Sequence, residues 1–277
     1  MRRKAIVLPC VLSGLLLAPA AAWSSPPCEC ELAFLLPTDG ATAVPTNGRV
    51  LVSHPDVDPA TLALSTDDAT GAAVPITVTP AGSVPYQVWV VPDADLAPGT
   101  AYRLEAQYTG GGGTLSHGFT TGSGPDTVAP TLGVATVAPA SSLGACEDLR
   151  AAQVTLVGAS DDQTPDDALI VQVSAYEVGV DGLPHVLFLP TWYGVFGDSG
   201  NGSCLTNFAG VESGTDYSAT VTVMDWAGNL APEASPQTFR FATIDAGGCG
   251  CRGAGSGEGA GLLLLVAVDL LWWRRRR

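Results

Sequence analysis

Cations are nearly missing from the body of this sequence. From Trp23 to Gly259 there are 26 acidic residues against Arg49, Arg103, Arg150, Arg240 and Arg252, a net charge of −21. The whole 277-residue chain stands at −15 only because Arg2, Arg3, Lys4 and Arg274 to Arg277 crowd its two ends. So acidic a surface repels phosphate backbones and anionic lipid heads, which excludes nucleic acid as a partner. Histidine is scarce too, confined to His54, His117 and His185. H-E-x-x-H, G-x-S-x-G and P-loop patterns are absent. GDSG at Gly197 to Gly200 has the outline of a serine nucleophile loop, but no histidine stands in the setting such a serine needs, and the stretch reads as a polar turn-rich loop. The expectation is a protein that is not an enzyme, with an unrecognised hydrolase site as the remotest alternative.

No apolar run is long enough to cross a bilayer comfortably. Leu262 to Trp273 is interrupted by Asp269 and, even counted from Gly259, reaches roughly 22 Å against a hydrocarbon core of ~30 Å. It can span only with thinning and with Arg274, Arg275, Arg276 and Arg277 snorkelling. Those arginines would stay cytoplasmic and leave the preceding domains outside.

What is abundant is turn chemistry. The 33 glycines and 21 prolines are spread between short Val/Thr/Tyr-rich runs, the pattern of an all-β protein of many short strands. Two regions flank GSGPDTVAP, a Gly/Pro segment of linker composition, and they share an internal repeat. DLAPGTAYRLEAQY carries Tyr102 and GVESGTDYSATVTV carries Tyr217, each tyrosine opening an alternating strand after a Gly-Thr turn. Tyr102, Leu104, Ala106 and Tyr108 should face a core, as should Tyr217, Ala219, Val221 and Val223. A tyrosine so placed is the tyrosine corner of β-sandwiches, its hydroxyl reaching back to upstream backbone.

On these residues, Leu32 to Gly122 resembles the bacterial Ig-like domain of surface-layer proteins, through FLLPTDGATAVPTNGRVLVSH, VDPATLAL, DADLAPGTAYRLEAQ and GFTTG. Val52-Ser53 stands where that pattern has Phe-Ser. Thr131 to Ile244 resembles a fibronectin type III or related Ig-like module through GTDYSATVTVMDWAGN and FRFAT. The resemblance implies two tandem Ig-like/fibronectin III-like β-sandwiches serving as spacer or binding domains, at 32–122 and 131–244, joined by a linker at 123–130.

Met1 to Ala22 has the basic start, apolar stretch and Ala20-Ala21-Ala22 site of a secretory signal peptide, so an oxidising compartment is expected for the mature chain. Six cysteines then remain. Cys146 and Cys204 are the two within the second folded region and are expected to pair; a loop of 58 residues closed this way would contribute roughly 4 kcal/mol in the chain-entropy model. Cys28 and Cys30, in an N-terminal segment at 23–31, are too close for an unstrained mutual disulfide. Zinc held by Cys28, Cys30, Cys249 and Cys251 is disfavoured by the C-x-C spacing.

Two clusters invite a ligand. SDDQTPDD offers Asp161, Asp162, Asp166 and Asp167 on one loop, a carboxylate set for calcium or, more plainly, a solvated turn. PTWYGVFG offers Trp192, Tyr193 and Phe196, with Trp89 in YQVWVV: rings that could stack on a sugar or anchor a protein, or fill a core under a long loop. DWAGN, Asp225 to Asn229, reads as a hairpin turn with Gly228 free to take a positive φ. No other cofactor is expected.

The tail GGCGCRGAGSGEGAGLLLLVAVDLLWWRRRR joins cysteines, a small-residue spacer at 245–260, an apolar span at 261–273 and an arginine cluster at 274–277. It resembles the MYXO-CTERM sorting tag of myxobacterial surface proteins. That resemblance implies cleavage near Cys249 or Cys251 by a sorting protease, lipid attachment there, and delivery to the outer cell surface. Asp269 departs from the pattern. The combined expectation is an exported surface protein for adhesion, spacing or envelope interaction, contacting the membrane through its tail and meeting other envelope proteins or glycans. A carbohydrate-binding module using Trp192, Tyr193 and Phe196 is the alternative.

Overall fold

The computed structural model describes residues 33–140, 149–198, 208 and 214–244. The signal-peptide segment, Cys28 and Cys30, the Cys146–Cys204 pairing, and the tail with Cys249, Cys251 and Arg274 to Arg277 lie outside the described residues. No helix among the described residues is long and apolar enough to cross a membrane.

The architecture is all-β. Nine strands come first: β1 (Phe34–Leu36), β2 (Ala41–Val44), β3 (Val50–Ser53), β4 (Ala63–Thr66), β5 (Ala73–Val74), β6 (Ile76–Pro80), β7 (Gln87–Pro92), β8 (Ala101–Gln107) and β9 (Thr114–Thr121). Eight follow: β10 (Val134–Pro139), β11 (Leu149–Val157), β12 (Ile170–Glu177), β13 (His185–Pro190), β14 (Val195–Asp198), β15 (Tyr217–Met224), β16 (Gln237–Phe239) and β17 (Ala242–Ile244). Named strands pair only within each set.

In the first set, a sheet ordered β1-β3-β7-β6 faces one ordered β2-β9-β8-β4-β5, with β2 running parallel to β9. That is the ABED-against-CFG layering of an Ig-like sandwich. In the second set, β10-β11-β14 faces β13-β12-β15-β16, the three-against-four layering of a fibronectin III-like module, and β17 extends the edge by pairing with β11 beyond β10. Two tandem sandwiches therefore make up the described part of the chain. GDSG differs from its reading as a loop, because Gly197 and Asp198 end β14 opposite Ala151 and Arg150.

The tyrosine corner is present where alternation places it. Tyr102 opens β8 with 3% exposure, and its hydroxyl accepts from the Ala97 N–H at 2.8 Å. Leu104 and Ala106 follow on the same buried face, while Arg103, Glu105 and Gln107 face water. In β15 the set Tyr217, Ala219, Val221 and Val223 is buried, but so are Ser218, Thr222 and Met224. β15 lies inside its sheet and is covered on both faces, so its alternation separates two buried environments instead of core from water.

Candidate functional site

The feature that dominates the molecule is the joint between the sandwiches. It starts from the four-in-a-row burial of β3, Val50 to Ser53. Side chains alternate across a strand, so Val50 and Val52 can line the internal core only if Leu51 and Ser53 face something else. What they face is the second sandwich. Across the ladder Leu51 pairs with Trp89 and Ser53 with Gln87. The fully buried Gln87 amide donates to the Phe188 carbonyl at 2.8 Å and accepts from the Phe188 N–H at 3.2 Å. The side chain thus plays the part of a neighbouring strand for β13, which is an edge of its sheet. One turn away Ser83 repeats the device: its N–H donates to the Val186 carbonyl at 2.6 Å and its Oγ accepts from the Val186 N–H at 3.0 Å.

Apolar packing follows the same seam. Trp89 meets Phe188 edge-on at 5.2 Å. Ile170, Phe188, Met224 and Trp226 of the second sandwich belong to the apolar core of the first, and Val84 of the first belongs to that of the second. Trp89 is therefore a buried joint residue and not an exposed ring.

DWAGN is a turn, with Gly228 at φ +91°, but it does more than reverse the chain. Asp225 is fully buried and its carboxylate accepts from the backbone N–H groups of Gly228 and Asn229 and from the Asn229 amide, at 2.6, 2.8 and 2.8 Å. The folded-back turn projects Trp226, 2% exposed, into the first sandwich. Arg49 clasps it there. The Arg49 N–H donates to the Trp226 carbonyl at 2.8 Å, its guanidinium donates to the Ala227 carbonyl at 2.9 Å, and the same guanidinium lies 5.5 Å from the centre of the Trp89 ring. Burial lowers the Arg49 pKa while Asp225 opposes the shift.

The 123–130 segment has linker composition, yet it is pinned. Asn47 exchanges two hydrogen bonds with the Asp126 backbone, at 2.7 and 2.9 Å, and Thr46 donates to the Gly124 carbonyl at 3.0 Å. From the other side Asn229 reaches the carbonyls of Asp126 and Val128, both at 3.3 Å.

The acidic run divides in two. Asp161 and Asp162 join Asp126, a residue the sequence pattern did not single out, with one carboxylate oxygen of each lying within 4.8 Å of the others. Asp126 is fully buried, and desolvation, with Asp161 and Asp162 adding to it, pushes its pKa up. Asp166 and Asp167 go elsewhere, onto a short 3-10 turn, Asp166–Ala168. There the Asp167 carbonyl accepts from the Thr191 hydroxyl at 2.7 Å. Of the four expected aspartates, Asp161 and Asp162 thus share a close carboxylate group with Asp126, and Asp166 and Asp167 are not part of it.

The aromatic trio also separates. Trp192 is 60% exposed and lies beside Tyr193, on a groove of roughly 360 Å³ that Asp166, Asp167 and Gln153 also line. Tyr193 is half-buried, and burial raises its pKa. Burial and the Tyr193 phenol push Tyr86 up to about 12. Phe196 is fully buried among Phe208, Phe239 and Phe241, with ring centres 5.6 to 6.1 Å away, so it is core and no part of a ligand surface. The three histidines are placed by packing: His54 against Tyr108, His185 against Phe208, and His117 on the Pro37 carbonyl.

No family model and no curated protein matches this chain. Among solved structures it is similar to the FN1–FN3 domains of chicken CNTN1, at 14% identity over 75% of this chain and 66% of that one, with a TM-score of 0.27. Domains A168–A170 of titin align at 11% identity over 74% and 62%, with a TM-score of 0.25. The N-terminal part of the bacterial S-layer protein SbsC aligns at 10% identity over 73% and 43%, also at 0.25. The chain thus spans less than two thirds of the length of these last two, and just under two thirds of the first. The assignment of the sandwiches rests on strand order and the tyrosine corner.

Proposed function

We propose that this chain is an exported, non-enzymatic surface protein in which two Ig-like sandwiches act as one preset unit for adhesion, spacing or envelope interaction. The observation that carries this reading is the joint. A flexible tether needs no Trp226 buried in the neighbouring core, no Arg49 clasp and no Gln87 amide standing in for a strand. Such investment fixes an angle, and a fixed angle matters for a protein that must hold a surface at a set distance. The acidic body is compatible with a solvated exterior. Export and sorting rest on the signal-peptide pattern and on the tail, whose likeness to a myxobacterial tag assigns Cys249 and Cys251 to cleavage and lipid attachment and Arg274 to Arg277 to topology.

Intact-mass analysis of the protein recovered from membranes tests this. The expected product begins after Ala22 or Ser24 and ends near Cys249 or Cys251, carrying the added mass of a lipid; an unmodified chain running to Arg277 would refute processing. A carbohydrate-binding role is the second reading, favoured by Trp192 standing exposed on a groove that Asp166 and Asp167 also line. A glycan-array signal that vanishes in Trp192→Ala would establish it, and no signal from the wild type would remove it.

A further inference from the structure

We infer that Asp126, Asp161 and Asp162 form a site for a divalent, oxygen-preferring cation, calcium, which fastens the inter-sandwich segment to the second sandwich. Three acids on a surface are common and would carry nothing by themselves. Here the buried oxygens set the site apart. Asp126 is 0% exposed; its Oδ1 accepts from the Val128 N–H at 2.9 Å, but its Oδ2 is buried without any hydrogen-bond partner. Asp161 repeats the arrangement. Its Oδ2 accepts from the backbone N–H groups of Gln163 and Thr164 at 3.1 and 2.7 Å, while its Oδ1 is buried and unpartnered. Each of these two carboxylates is therefore held through one oxygen and has the other free to take a ligand, and the exposed Asp162 brings a third carboxylate within 4.8 Å.

A buried carboxylate oxygen lacking a donor is costly, and two of them beside a third acid are costlier. A cationic side chain could relieve this, but the ion pairs described, Arg103 with Asp67, Arg240 with Asp216 and His117 with Asp39, lie elsewhere. The spacing suits a metal ion. Oxygens bound to calcium at about 2.3–2.6 Å stand up to roughly 5 Å apart across the ion, and the three carboxylates lie within 4.8 Å of one another. The donor set is all oxygen, which selects a hard cation over zinc or copper. Magnesium, with its strict octahedron and reluctance to shed water, fits an incomplete and half-buried carboxylate set less well.

The location gives the cation a task. Asp126 lies in the segment between the sandwiches, tied by its backbone to Asn47 of the first, whereas Asp161 and Asp162 belong to the second. Thr164, held by the Asp161 turn, accepts through its Oγ1 from the Trp226 N–H at 3.2 Å. An ion here would therefore brace the residues that seat Trp226. This inference does not depend on the surface role proposed above.

Titration calorimetry and thermal melts of the purified full chain in mild detergent, stripped with chelator, test the site with calcium chloride, magnesium chloride and sodium chloride of matched ionic strength. Calcium is expected to bind with measurable heat and to raise Tm by on the order of 5 °C at saturation, with magnesium weaker and sodium inert. Asp162→Asn, at an exposed position, should weaken binding by roughly 10-fold or more. Asp126→Asn should abolish the calcium shift while raising the Tm of the stripped protein, since it removes an unpaired buried charge and keeps the acceptor for Val128. Asp181→Asn, an exposed acid in another turn, should leave the calcium response intact. No calcium heat in the wild type, an equal shift with sodium, or an undiminished shift in both Asp126→Asn and Asp162→Asn would overturn the proposal.

Discussion

His117 shows how one buried residue converts packing into pH dependence. It sits on β9 with 5% exposure, and its Nε2 lies 2.7 Å from the Pro37 carbonyl. Burial lowers its pKa below the ordinary 6.5, outweighing the Pro37 carbonyl and the Asp39 carboxylate 4.0 Å away, both of which favour the charged ring. Because the folded chain resists the proton, His117 costs nothing above the unfolded value of about 6.5. As pH falls from there through the lowered folded value, the unfolded state takes up the proton first and stability is lost. Melts should therefore show Tm declining as pH falls below about 6.5, and His117→Gln, which can still donate to Pro37, should flatten that decline. Equal slopes in the two proteins would assign the effect to other groups. Of this residue the sequence disclosed only that it was rare; its burial follows from β9 carrying it beside the turn at Pro37, a pairing 80 residues apart in the chain.

At the scale of elements, local chemistry was readable and docking was not. The tyrosine corner at Tyr102, the alternation of β8 and the turn at Gly228 all follow from short-range rules and stand where those rules place them. Alternation cannot say what covers a second buried face, so it missed Leu51, Gln87 and Trp89 as a docking surface and grouped Phe196 with Trp192. Asp126 was hidden for a similar reason, because a Gly/Pro-rich segment looks flexible until Asn47 and Asn229 are seen to hold it. The turn at Gly82 illustrates the difference. Gly82 has φ +68°, and a Cβ there would stand 2.2 Å from the Val186 carbonyl oxygen. That oxygen accepts from Ser83 across the joint, so it cannot retreat without giving up the bond. Gly82→Ala should cost more than about 2 kcal/mol in denaturant melts, from backbone strain and a displaced interface together. Gly71→Ala has comparable φ (+55°) and open space, and should cost about 1 kcal/mol. Near-equal losses would mean that contact with β13 adds nothing to the φ penalty.

For the whole molecule, the decisive question is whether the sandwiches unfold together. Trp226 contributes its surface to the first sandwich's core while its backbone belongs to the second, so neither core is complete alone. The wild type should give a single calorimetric transition in which calorimetric and van't Hoff enthalpies agree. Trp226→Ala leaves a large void in the apolar cluster of the first sandwich to which the indole belongs. A loss of about 3–5 kcal/mol is expected for such a truncation. Because that loss falls on the first sandwich and on the joint, while Val171, Val173, Leu187 and Phe196 keep the second core intact, the single transition should split in two, the lower one belonging to the first sandwich. Trp226→Phe provides the control. The indole Nε1 is buried with no hydrogen-bond partner, so a phenyl ring gives up contact area but no bond, and one transition should persist with a smaller drop in Tm. A Trp226→Ala protein that still melts in one step would show that Gln87, Ser83 and the pinned segment are enough to couple the sandwiches, whereas two transitions already in the wild type would show that the joint does not couple them at all.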